Sequence, residues 1–175
     1  MELFMKTLIT GGIKSGKSFY ALKKAREREG KRGFIATAMI KDDEMAKRVK
    51  EHRRERGTEF ETIEEPYELV RAVKFADKKY AVTVVDCLNM WLLNLMEEKM
   101  DIAKERENLI ATLKNTTSHF IIVTNEVSSG VVPADEYTRR FVEELSILNA
   151  GVAGVSDEVV LMVAGCPLYL KGEKN

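Results

Sequence analysis

Gly11-Gly12-Ile13-Lys14-Ser15-Gly16-Lys17-Ser18 is the stretch that decides how this chain is read. Its pattern, G-x-x-x-x-G-K-S, is that of a phosphate-binding loop, and each part has a physical task. The glycines let the backbone curl until successive N–H groups point inward at phosphate oxygens. A helix starting near Lys17 adds the positive end of its dipole. The Lys17 ammonium reaches the β- and γ-phosphates of ATP or GTP, and the Ser18 hydroxyl ligates Mg²⁺. The flanks agree: Leu3 to Thr10 is an apolar run of strand formers, and Lys17 to Glu29 has helical spacing, with Phe19, Leu22 and Ala25 toward the core.

Further along, strands and helices alternate. Phe34 to Ala38 reads as a short strand. Asp42 caps a helix running to about Arg56, and Phe60 to Ile63 is a short strand. Pro66 starts a helix through roughly Phe75. Tyr80 to Val85 is a β-branched run ending at Asp86, the pattern of a buried central strand. Leu88 to Leu113 is helical with a break near Met100-Asp101, and Phe120 to Thr124 is another buried strand. Pro133 leads into a helix to about Gly154, weakened at its end by Gly151 and Gly154. Val159 to Val163 and Leu168 to Leu170 close the chain as strands. The alternation predicts an α/β fold: a mostly parallel sheet flanked by helices, in one nucleotide-binding domain over residues 1–175.

The composition narrows the partners. The 175 residues carry 28 basic and 28 acidic side chains, so global charge gives no reason to expect nucleic acid or a membrane surface. No apolar run reaches membrane-spanning length, and Met1 to Lys6 is no signal peptide, so the cytoplasm is the expected compartment. Cys87 and Cys166 lack metal-ligand spacing and read as free, buried thiols. The charged fraction, 32%, is compatible with a thermophilic source.

A phosphate-binding loop also requires an acidic residue at the end of a neighbouring strand to hold Mg²⁺ through water. Asp86, after Val82-Thr83-Val84-Val85, stands there. It can equally cap the helix that begins at Leu88, and the two roles can coexist. These parts alone are shared by kinases, GTPases, motor ATPases and switches.

Of the two histidines, His119 opens a strand after a polar turn and is expected at the surface or a sheet edge. His52 is more informative. It shares a helix face with Met45 and Val49, yet Arg48, Arg53, Arg54 and Arg56 surround it. One reading is a core-edge histidine on a charged helix. The other is an anion site with an imidazole at its centre. Neighbouring arginines disfavour the imidazolium and leave a neutral, nucleophilic ring, while they hold phosphate oxygens or a leaving pyrophosphate.

Several segments together resemble one family, the bifunctional adenosylcobinamide kinase / adenosylcobinamide-phosphate guanylyltransferases of cobalamin biosynthesis. They are Thr10 through Ser18, Ile35-Ala36-Thr37, Asp42-Asp43-Glu44-Met45 leading to His52, Val85-Asp86-Cys87-Leu88 with Trp91-Leu92 and Asn94-Leu95, Val123-Thr124-Asn125-Glu126-Val127 with Gly130-Val131-Val132-Pro133, and Ser156-Asp157-Glu158-Val159. They run in family order along nearly the whole chain, and the TNEV and DDEM segments are more specific than the phosphate loop.

The resemblance implies two reactions. A nucleoside triphosphate phosphorylates the aminopropanol hydroxyl of adenosylcobinamide. GTP then loses pyrophosphate to a histidine at the position of His52, and adenosylcobinamide phosphate takes the GMP to give adenosylcobinamide-GDP. Nucleotide contacts carry over to Gly11, Gly12, Ile13, Lys14, Ser15, Gly16, Lys17 and Ser18, to Ile35, Ala36 and Thr37, to Arg53, Arg54, Glu55 and Arg56, to Glu64 and to Asp86. It also implies a RecA-like sheet and a homo-oligomer, a trimer. Two departures stand out. Lys14 replaces a common arginine, which loses a planar fork. Ser128-Ser129 lies where a glycine is common, which alters the expected loop.

Glu126 to Pro133 follows a central strand at the ligand-binding edge of such sheets, either beside nucleotide or corrinoid or as an ordinary connection. Arg139 and Arg140 are either contacts across a subunit interface or an exposed helix face. Two alternatives to the bifunctional enzyme are a phosphoryl kinase without guanylyl transfer and a nucleotide-dependent switch ATPase; neither needs an imidazole amid arginines.

Overall fold

Alternating side chains along the strands build two cores, one on each face of a single sheet. The computed structural model describes residues 4–40 and 42–172; the side chains of Glu44, Met45, Arg48 and His52 lie outside the described set, as do Met1 to Leu3. The strands are β1 (Lys6–Gly11), β2 (Arg32–Ala36), β3 (Phe60–Glu64), β4 (Val82–Asp86), β5 (His119–Val123), β6 (Glu158–Val163) and β7 (Cys166–Lys171). The helices are α1 (Lys17–Arg26), α2 (Asp43–Arg56), α3 (Leu69–Lys79), α4 (Leu88–Glu97), α5 (Ile102–Lys114) and α6 (Glu136–Val155).

The sheet order is β3-β2-β4-β5-β1-β6-β7. All neighbours are parallel except β7, which returns antiparallel against β6. Successive strand residues face opposite sides. Leu8, Ile35, Val85, Ile122 and Val159 join the core under α3, α4, α5 and α6. Their neighbours Ile9, Phe34, Val84, Ile121 and Val160 join the other core, with Ala21, Leu22 and Ala25 of α1. Both faces of the central strands are therefore covered, which is why they read as continuous apolar runs.

Local chemistry sets several boundaries. Asp101 ends the break between α4 and α5 by accepting from the Lys104 N–H at 3.1 Å, an N-cap bond. The helix expected from Pro66 starts later, at Leu69, because the Glu65 carboxylate accepts from the N–H groups of Tyr67 and Glu68 and holds that stretch as a turn. Gly151 and Gly154 do not end α6, which runs through both to Val155. A Cβ at Gly151 would sit 2.4 Å from Ile110 Cδ1, so that glycine serves the close approach of α5 and α6.

Three burial expectations fail. Phe19 is exposed, since the phase of α1 turns Ala21, Leu22 and Ala25 to the sheet instead. His119 is buried rather than at the surface: β5 is a central strand, and the ring's Nδ1 accepts from the Met5 N–H at 3.1 Å. Both cysteines are free, but Cys166 is exposed on edge strand β7 and Cys87 only partly buried.

Candidate active site

The C-terminal ends of β1, β4 and β5 lie side by side, because β5 sits between the other two. Val123 is level with Ile9 on one side and with Asp86 on the other. The phosphate loop leaves β1 at this edge.

The loop's shape depends on its glycines. Gly11 has φ +146°, and a Cβ there would lie 2.5 Å from the Met162 carbonyl oxygen. Gly16 has φ +92° and stands at the N-cap of α1, where a side chain would be strained. No side chain caps α1 and no acidic residue occupies its first turn, so its N-terminal N–H groups are left to an anion. The turn between β6 and β7 supports the loop from behind, with the Gly165 N–H donating to the Ser15 carbonyl at 3.2 Å.

Lys17 is buried and its ammonium spans the loop, donating to the Gly12 carbonyl at 2.5 Å and the Ser15 hydroxyl at 3.4 Å. Burial lowers its pKa, while the neighbouring Cys87 and Asp86 act to raise it. Burial pushes the Cys87 thiol far above its usual range, and the Asp86 charge adds to that. Lys17 and the end of β4 thus share one electrostatic neighbourhood. Asp86 does not cap α4: the N-cap is Cys87, and no side chain caps that helix.

Thr37, fully buried just beyond β2, binds this end of β4 through its hydroxyl. That hydroxyl donates to the Cys87 carbonyl at 2.7 Å and accepts from the Cys87 N–H at 2.9 Å. The Asp86–Cys87 peptide is cis. Asn94 of α4 ties the next loop in, donating from Nδ2 to the carbonyls of Thr37 at 2.8 Å and Pro66 at 3.0 Å. Trp91 adds a bond from Nε1 to the Tyr67 carbonyl at 2.8 Å. Sequence reasoning gave Asn94 no role of its own, because a buried asparagine on an apolar helix face shows its partners only in three dimensions. Ile35 is buried in the core, so only its main chain can meet a ligand.

The last turn of α2 comes to the same edge. Arg53 pairs with Glu64 at the end of β3. Arg56 is buried, its guanidinium 4.0 Å above the Phe34 ring. Burial lowers the Arg56 pKa, Asp86 acts to raise it, Arg53 lowers it further and Glu64 raises it. Arg54 and Glu55 are exposed. His52 belongs to this turn of helix by its backbone, while its side chain lies outside the described residues, as do those of Met45 and Arg48.

Beyond β5, Thr124 and Asn125 are anchored by Asn149 of α6: the Thr124 hydroxyl donates to Asn149 Oδ1 at 2.7 Å, and Asn149 Nδ2 donates to the Asn125 carbonyl at 2.9 Å. The Glu126 N–H donates to the Gly11 carbonyl at 3.0 Å, which sets this residue against the phosphate loop. The Ser128 N–H donates to Glu126 Oε1 at 2.6 Å, and the hydroxyls of Ser128 and Ser129 donate to the same oxygen. The departure at Ser128-Ser129 is thus a pair of donors. Arg139 is committed within its own chain, to the carbonyls of Pro133 and Ala134, whereas Arg140 is exposed.

Residues 7–170 match the family described as cobinamide kinase / cobinamide phosphate guanyltransferase. The chain is 39% identical over 171 residues to the bifunctional adenosylcobalamin biosynthesis protein CobP of Pseudomonas aeruginosa, covering 97% of this chain and 99% of that one. It is 29% identical over 182 residues to the bifunctional adenosylcobalamin biosynthesis protein CobU of Escherichia coli, covering 95% and 100%. Among solved structures, the flagellar accessory protein FlaH of Methanocaldococcus jannaschii matches with TM-score 0.54 at 11% identity, over 97% of this chain and 79% of that one. An ATPase of the type III secretion system of pathogenic bacteria matches with TM-score 0.57 at 11% identity, over 91% and 51%. These two likenesses concern the fold, that of the P-loop NTPases.

Proposed function

The chain belongs to the cobinamide kinase / cobinamide phosphate guanyltransferase family and is a bifunctional enzyme of cobalamin biosynthesis, and from that premise we propose how its residues divide the two reactions. Family membership sets aside the switch ATPase and the kinase without guanylyl transfer. Among the described residues no helix is long and apolar enough to cross a membrane.

In the first reaction ATP or GTP phosphorylates the aminopropanol hydroxyl of adenosylcobinamide. In the second, His52 attacks the α-phosphorus of GTP and pyrophosphate leaves. The phosphate of adenosylcobinamide phosphate then displaces the histidine, giving adenosylcobinamide-GDP. A phosphoramidate keeps the guanylyl group activated and divides one displacement into two. The N–H groups of Gly11 through Ser18 and the Lys17 ammonium hold the triphosphate. Arg53, Arg54 and Arg56 stabilise charge on the transferring phosphorus and on pyrophosphate. The main chain of Ile35, Ala36 and Thr37, with Glu55 and Glu64, completes the nucleotide contacts.

Ser18 and Asp86 would hold Mg²⁺. Their donors, a hydroxyl and a carboxylate, are the hard oxygens this ion takes. The ion would take its remaining ligands from phosphate and water oxygens. When bound, it offsets charge on the phosphate oxygens.

The observation that carries the reading is the placement of the last turn of α2. Arg53 joins Glu64, and buried Arg56 lies over Phe34 within the field of Asp86, so the helix segment immediately after His52 is fixed beside the residue assigned to Mg²⁺. Residues 1–175 act in this reading as one domain, in the cytoplasm. The homotrimer is carried over from the family resemblance, and the exposed Val163, Leu168 and Leu170 along β6 and β7 are apolar surface that contact between copies would cover.

The test is covalent capture. Incubated with α-labelled GTP and Mg²⁺ and then denatured, the wild type should carry acid-labile, alkali-stable label, and His52→Ala should carry none. A wild type that takes up no label under turnover conditions would sink the guanylyl-histidine step.

A further inference from the structure

Phosphoryl transfer to a hydroxyl needs somewhere for the hydroxyl proton to go. The carboxylates at the C-terminal ends of the strands are Glu64 and Glu65 at β3, Asp86 on β4 and Glu126 beyond β5. Glu64 is paired with Arg53. Glu65 takes the Tyr67 and Glu68 N–H groups on Oε1 alone, so position and not occupancy sets it aside. Both lie at the end of edge strand β3, with β2, β4 and β5 between it and β1. Asp86 is the residue assigned to Mg²⁺. Glu126 alone extends from the strand next to β1, and its own N–H is bonded to Gly11, the first residue of the phosphate loop.

The two oxygens of this carboxylate are not equivalent. Oε1 takes the Ser128 N–H and the hydroxyls of Ser128 and Ser129, and the Ser129 N–H also favours the ionised carboxylate. Among the described residues no side chain donates to Oε2. One oxygen is fixed and the other is left to accept. Desolvation works against the charged form, but the serine donors outweigh it and hold the carboxyl below its usual range, so it is ionised at neutral pH. The backbone beneath is rigid, since Asn149 holds both Thr124 and Asn125.

We propose that Glu126 is the catalytic base of the kinase half-reaction, receiving on Oε2 the proton of the acceptor hydroxyl. The hydroxyl oxygen forms a bond to the γ-phosphorus of the nucleoside triphosphate, and the bond from that phosphorus to the β,γ-bridging oxygen breaks. The nucleoside diphosphate leaves with the electron pair, and the proton passes to Glu126 and then to solvent. Ser128 and Ser129 are positioning residues that hold the other oxygen. The guanylyl half-reaction has no such demand, because its acceptors, a neutral imidazole and an ionised phosphate, bring no hydroxyl proton. This inference rests on the division of reactions proposed above.

The experiment measures two rates on each enzyme: phosphorylation of cobinamide by a nucleoside triphosphate, and uptake of GMP from α-labelled GTP. Glu126→Gln keeps the main-chain bond to Gly11 and an amide oxygen for the serines. It should lose about 10²- to 10³-fold in kcat for phosphorylation, with KM changed less than about threefold and label uptake within about threefold of wild type. The double variant Ser128→Ala, Ser129→Ala should lose about tenfold in the same kcat, again sparing label uptake. Phosphorylation by Glu126→Gln within about fivefold of wild type, or a parallel loss of both rates, would overturn the assignment. If the wild type itself phosphorylates no cobinamide, the reading beneath it has failed and the assignment goes with it; label uptake without phosphorylation identifies that case.

Discussion

The hydroxyl of Thr37 makes two bonds to the main chain of Cys87, one in each direction, and so fastens the end of β2 to the end of β4 beside Asp86. The Thr37 hydroxyl itself meets no ligand in the proposed chemistry, in which only that residue's main chain contacts nucleotide. The effect of the two bonds is to fix the level of Asp86 against the phosphate loop.

Thr37→Val removes both bonds at nearly constant volume. The Cys87 N–H and carbonyl lose their partner in a buried setting, at a cost of about 2–4 kcal/mol in stability. Thr37→Ser keeps the hydroxyl and should cost less than about 1 kcal/mol beyond its lost methyl. Urea unfolding of the two variants measures the difference, and nucleotide titration should show weaker binding only in Thr37→Val.

Gly11→Ala places a methyl against the Met162 carbonyl, at a φ that L-residues avoid. The strain, about 1–3 kcal/mol, has to be relieved by moving the loop or β6. Nucleotide affinity should fall by about tenfold or more, as read by calorimetric titration. Retention of wild-type affinity would show that the loop does not need its packing against β6.

The opposite edge of the sheet offers a contrast. Lys24 and Glu158 form a bridge of 2.7 Å with little exposure, and Glu158 also accepts from the Thr7 hydroxyl at 3.0 Å. Glu158→Gln leaves a charged ammonium without its counterion and should destabilise by about 3 kcal/mol. Lys24→Met added to it should recover part of that loss. Both transferase rates should stay at wild-type values in the folded enzyme, because this pair is at the other end of β6 from the phosphate loop. Thermal melts and the two assays separate stability from catalysis.

The phosphate loop was readable from residues alone because phosphate geometry dictates glycine, lysine and serine at fixed spacing. The buried strands were readable because parallel strands covered on both faces leave continuous apolar runs such as Val82 to Val85. The phase of α1 was not, since Phe19, Ala21 and Leu22 are all apolar and only packing decides which turn inward. His119 looked peripheral because it opens its strand after a polar turn; the strand read as buried, but the Met5 N–H that the ring accepts from is far away in the chain. The bonds from Asn94 to Thr37 and Pro66 join segments far apart in the chain, and the asymmetry of the Glu126 carboxylate arises from a turn whose serines read only as a departure from pattern.

The turn joining β6 and β7 bears on how the molecule is made. The phosphate loop is translated early, yet β1 pairs with β5 and β6, Gly11 packs under Met162, and Ser15 is bonded by Gly165. Every one of those supports is translated late, so the contacts that shape the loop have high contact order and form slowly. On the ribosome the nucleotide motif emerges first and is completed last. A chain that stops short of Met162 carries the full signature in its sequence and has no surface to hold it in shape.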